Sequence, residues 1–144
     1  MGQKIKKPHQ TKSVIKEYTE ERARASIDDV EECFVISLKH FDRKQGQRFH
    51  EWQESGMLAD ALETLSGYCS LPLYKQYSDK FTLYGNFPER SAYTHPPHVP
   101  QDANWARIHV DGTHILAGHV FRNTFFVVFL DQDHTFYITK GANN

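Results

Sequence analysis

Residues 105–139, WARIHVDGTHILAGHVFRNTFFVVFLDQDHTFYIT, constrain the fold more than any other part of the chain. Short runs of branched and aromatic residues alternate there with turn signals at Asp111-Gly112, Arg122-Asn123 and Asp131-Gln132-Asp133. That succession is the pattern of a β-meander. Asp-Gly between alternating runs predicts a tight hairpin in which both central residues take positive φ. Residues 124–130 are apolar on both faces, which predicts a central strand covered from both sides. Residues 135–139 predict a shorter, more polar last strand, or the extension of one. His109, His114, His119 and His134 all fall within this stretch.

Upstream, residues 33–41 read CFVISLKHF and alternate so that Phe34, Ile36, Leu38 and His40 share one face of a half-buried strand. Phe49, Trp52, Leu58, Leu62, Leu65 and Cys69 then recur at helical spacing, interrupted by Ser55-Gly56. Glycine weakens a helix interior, so the spacing predicts two short helices, about 46–54 and 57–68, or one helix with a weak joint. A short strand is expected over residues 80–84. Residues 86–104 hold Pro88, Pro96, Pro97 and Pro100 and predict a long loop, because proline cannot donate to a ladder. The chain reads as an N-terminal arm and helix over residues 1–32, followed by a single α+β domain over 33–144. Its sheet is expected to be antiparallel or mixed, with four to five strands and the helical pair packed on one face.

Composition narrows the function classes. With 144 residues, 39% hydrophobic and 13% aromatic, the chain is the size of one soluble globular domain with a real core. No apolar run approaches the length of a membrane span, and the start MGQKIKKPHQ lacks the apolar segment of a signal peptide, so no membrane contact and a cytoplasmic location are expected. A balance of 17 basic against 18 acidic residues excludes a wholly positive surface, and any nucleic-acid contact must be local. Cys33 and Cys69 form no CxxC pair and are read as reduced, buried thiols.

The candidate chemistry is carried by basic residues. His95-Pro96-Pro97-His98 offers two imidazoles, but no Cys or carboxylate stands at a spacing that completes a metal site, so no metal is expected. Glycine-rich phosphate loops and the GxSxG elbow are absent, and no cofactor is predicted. Arg107 and His109 lie on the same side of a strand, and the end of the central strand brings His134 toward the same sheet edge. A guanidinium suits the developing charge of a phosphorane, and imidazoles suit acid and base roles in RNA cleavage by the adjacent 2′-hydroxyl. His114 and His119 fall on opposite faces of one strand and cannot share one site.

The order strand, helical pair, long connection and meander, together with ARIHVDGTHILAGHVFRNTFFVVFLDQDHTFY, resembles the RelE/ParE superfamily of bacterial toxins over roughly residues 33 to 139. Many of these toxins cut messenger RNA on the ribosome. The resemblance implies an endoribonuclease of a toxin–antitoxin pair that acts without metal, with RNA or the ribosome and a cognate antitoxin as partners. It implies that Arg107 and His109 are the basic residues of the first meander strand, and that His134 and Tyr137 are the terminal acid/base and stacking residues. The chain departs from the family in its near-neutral charge, its added first 32 residues, and Asp131 and Asp133 beside His134, where acidic neighbours would favour a charged imidazole. The alternative is a non-catalytic interaction module that binds a protein through the N-terminal helix and the loop aromatics Phe87 and Tyr93.

Overall fold

The computed structural model describes residues 32–139 together with Thr19, Glu20 and Arg22. The chain divides into two units, Met1–Glu32 and Cys33–Asn144, and the elements below all belong to the second. The expected N-terminal helix lies outside the described residues apart from those three positions.

Five strands, β1 (Val35–Ser37), β2 (Phe81–Gly85), β3 (Asn104–His109), β4 (Ile115–Phe121) and β5 (Thr124–Asp131), form one mixed sheet in the order β1-β5-β4-β3-β2. β1 runs parallel to β5, and the other neighbours are antiparallel. Two helices, α1 (Phe49–Glu54) and α2 (Met57–Tyr68), connect β1 to the rest, followed by a 3-10 turn at Leu73–Lys75. Gly56 separates the helices with φ of 80°, a conformation open to glycine and costly for other residues. Gln47 Oε1 accepts from both the Trp52 indole and the Gln132 backbone N–H, pinning the start of α1 to the end of β5.

The sheet is buried on both faces, which accounts for its continuous apolar runs. On one face Phe34, Trp52, Ala61, Leu65, Phe81, Ile108, Leu116 and Phe125 form a core with α1 and α2. On the other, Trp105, Ile115, Ala117, Val128, Phe129 and Phe136 pack under the proline-rich loop, which contributes Tyr93 and Val99. Phe87 packs edge-on against Trp105 and Phe136. The loop aromatics Phe87 and Tyr93, expected as partner contacts, therefore serve the second core.

Several local expectations differ from the structure. The first strand spans only Val35–Ser37, and Leu38 is exposed because Lys39 and Phe41 fold back on Ser37 and Leu38 in a turn. The Asp111-Gly112 hairpin is wider than the tight two-residue turn, and neither residue has positive φ. Its geometry comes instead from the Asp111 carboxylate, which accepts the Thr113 and His114 N–H groups. Residues 135–139 do not extend the sheet; Ala92 N–H donates to Thr135 and Ile138 N–H donates to Arg90, tying this tail to the loop. Cys69 is exposed and Cys33 partly so, rather than buried.

Candidate functional site

Arg107 and His109 project from β3 onto the loop-covered face, since Trp105, two residues earlier, lies in that core and side chains repeat every two residues. His134 reaches them from the turn after β5. Its Nε2 lies 3.5 Å from Arg107 Nη1, and its ring centroid is 5.0 Å from that of His109. Tyr137 stacks on Tyr84 with centroids 4.6 Å apart and planes within 10°. The Arg107 guanidinium in turn lies 5.9 Å from the centroid of the Tyr84 ring. The four residues singled out from sequence, Arg107, His109, His134 and Tyr137, thus form one chain of contacts.

Tyr84 completes that chain and was not singled out. It sits at a register shift between Leu83 and Gly85 in edge strand β2, and only the pairing of β2 with β3 brings it beside Arg107. Burial raises its hydroxyl above the ordinary phenol range, so it stays protonated at neutral pH.

Hydrogen bonding defines the protonation states available. His109 Nδ1 lies 3.1 Å from the carbonyl of Asp111. A carbonyl only accepts, so Nδ1 carries the hydrogen and the neutral ring presents Nε2 as its acceptor. Burial lowers the His109 pKa, the Asp111 carbonyl opposes that shift, and Arg107, His134 and Lys80 add to the lowering. The buried Nε of Arg107 has no hydrogen-bond partner, an unsatisfied donor of the kind that native structures seldom tolerate outside functional sites.

His134 has φ of 58°, one of two non-glycine residues in the left-handed region among the described residues. This conformation costs about 1 kcal/mol or more, so the surrounding bonds must hold it. Those bonds come from Asp131, which is fully buried. One carboxylate oxygen accepts the Thr135 and Phe136 N–H groups at 2.8 and 2.7 Å, and the other accepts the Thr135 hydroxyl at 3.3 Å. Asp131, three residues before His134, therefore organises the backbone of the turn. Tyr93 lies near this carboxylate, and burial followed by the Asp131 charge drives its hydroxyl pKa upward.

A second histidine group occupies another part of the loop-covered face. His40 Nδ1 and His119 Nε2 are 2.9 Å apart, and both rings stack on Phe126. His98 Nε2 donates to the His40 carbonyl, while His95 Nδ1 donates to that of Pro96. Burial, then His40 and His95, pushes the His119 pKa down to about 4. The four imidazoles are drawn from distant segments, so only His95 and His98 were visible as a pair in sequence. Those two turn to different carbonyls, and among the described residues no group of three or more His, Cys, Asp or Glu side chains is arranged to hold a metal ion. His114 lies on the opposite face, edge-on against Trp52.

The chain matches no family model, no curated protein and no solved structure. Among the described residues no helix is long and apolar enough to cross a membrane.

Proposed function

We propose that this protein is a RelE-like endoribonuclease that cleaves RNA without a metal ion. The observation that carries the reading is the meeting of Arg107, His109 and His134, two imidazoles and a guanidinium from separate elements, with ring centroids of the histidines 5.0 Å apart. Neutral His109 takes the 2′-hydroxyl proton on Nε2, and the 2′-oxygen attacks the adjacent phosphorus. Arg107 offsets the charge that develops on the phosphoryl oxygens, and His134, protonated once the guanidinium turns from its Nε2 to the phosphate, gives its proton to the departing 5′-oxygen. The products are a 2′,3′-cyclic phosphate and a 5′-hydroxyl. Tyr137, 39% exposed and stacked on Tyr84, offers a ring on which a nucleobase can stack.

The test is expression in bacteria together with cleavage of a defined RNA, in isolation and on translating ribosomes. Wild-type protein is expected to slow growth and to yield cyclic-phosphate ends, with His109→Ala and His134→Ala each lowering the rate by roughly 100-fold or more. Harmless, well-folded wild-type protein that leaves RNA intact in both settings sinks the reading.

A non-catalytic interaction module is the second reading, and one observation favours it. β1 is an edge strand carrying exposed Val35 and Ile36, a surface of the kind a partner strand can cover. It predicts a stoichiometric protein complex whose formation survives His109→Ala and His134→Ala.

A further inference from the structure

We infer that Asp131 is a positioning residue of this site, holding His134 in its left-handed conformation and so directing the imidazole toward Arg107 and His109. The inference rests on the ribonuclease reading for its kinetic consequence, but its geometric content stands on the fold alone.

Three features point to it. Asp131 is fully buried among apolar side chains, a position where a carboxylate is retained only when its oxygens are occupied. They are occupied by the two residues that follow His134: the Thr135 and Phe136 N–H groups at 2.8 and 2.7 Å, and the Thr135 hydroxyl at 3.3 Å. Fixing those residues leaves His134 little freedom, and its φ of 58° is the conformation the closed turn imposes. An ordinary surface turn would place glycine or asparagine there, whereas this chain places an imidazole that meets His109 and Arg107. Tyr93 of the proline-rich loop lies near the carboxylate, with its ring 4.5 Å from that of Phe129.

The experiment is Asp131→Leu, which keeps roughly the volume but removes both acceptor oxygens and the charge. Two-dimensional NMR on the full chain follows His134 through the coupling that reports its φ, and through nuclear Overhauser contacts between the His109 and His134 rings. RNA cleavage gives kcat and KM separately. The expected result is loss of the positive φ signature and of the ring contacts, with other core resonances unchanged, and a fall in kcat of tenfold or more while KM stays within twofold. Retention of the positive φ and the ring contacts in Asp131→Leu overturns the inference. If that variant does not fold, Asp131→Ser is read instead, since it removes the carboxylate while leaving a small polar residue. Weakened ring contacts there support the inference, and wild-type contacts overturn it. Wild-type protein that cleaves no RNA removes the ribonuclease reading and leaves the NMR result to decide the role of Asp131.

Discussion

A single backbone carbonyl sets what His109 can do. By accepting from Nδ1, the Asp111 carbonyl fixes the tautomer and leaves Nε2 as the basic atom of the neutral ring. Burial, with Arg107, His134 and Lys80 nearby, then lowers the pKa below the ordinary 6.5. A lowered pKa keeps the ring neutral, and so able to act as a base, at every pH above the shifted midpoint. NMR titration of the His109 ring is therefore expected to give a midpoint below 6.5, and Arg107→Met is expected to move it upward by removing one positive neighbour. A wild-type midpoint above 6.5 would contradict this account. Sequence alone put Arg107 and His109 on one side of a strand, because the two-residue period is local. It could not show the carbonyl of Asp111, whose position depends on how the hairpin closes, nor the left-handed turn at His134, which depends on a buried carboxylate.

At the scale of the element, β5 decides which face the end of the chain reaches. Ala117 pairs with Phe129 but Gly118 pairs with Val127, so Val128 is an extra residue in β5. This β-bulge turns Val128 and Phe129 onto the same, loop-covered face, while Val127 and Leu130 stay in the helix-side core. The phase of the strand is reset by one, and Asp131 emerges on the loop side, where Tyr93 meets it. Strict alternation across residues 124–131 would send Asp131 to the opposite face, away from Arg107 and His109. The bulge brings the Phe126 carbonyl against Gly118, where a Cβ would overlap that oxygen. Gly118→Ala is expected to destabilise the fold by about 3 kcal/mol, the upper end of overpacking costs, as read by urea unfolding. Gly67→Ala is the control: it lies in α2 with open space around a built Cβ, so it is expected to leave stability unchanged or raise it by up to about 1 kcal/mol. Equal effects of the two substitutions would refute the packing argument.

Across the whole molecule, the sheet is held between two unlike layers, helices on one side and a proline-rich loop on the other. The His40–His119 contact lies within the loop-side layer, with His98 and Lys39 near His40 and His95 near His119. His119 is 4% exposed and its pKa is about 4, against about 6.5 in the unfolded chain. Between those values the unfolded state binds more protons, so stability is fully present above pH 6.5 and falls as pH drops toward 4. The loss from His119 is about 3 kcal/mol, and His40, also lowered, acts in the same direction. Urea unfolding from pH 7 to pH 4 should show this slope, and His119→Phe should flatten it; an unchanged slope in that variant would remove His119 as its source. Read by itself, the sequence determined the α+β class, the helical pair broken at Gly56, the proline-rich loop and the meander, because each follows from periodicity or from backbone limits of proline and glycine within a few residues. Only the tertiary structure decided the short parallel first strand, the bulge at Val128, the joining of Tyr84 and Asp131 to the site, and the second histidine group. Those depend on hydrogen bonds and packing between segments far apart in the chain, where no local spacing records which partner each side chain meets.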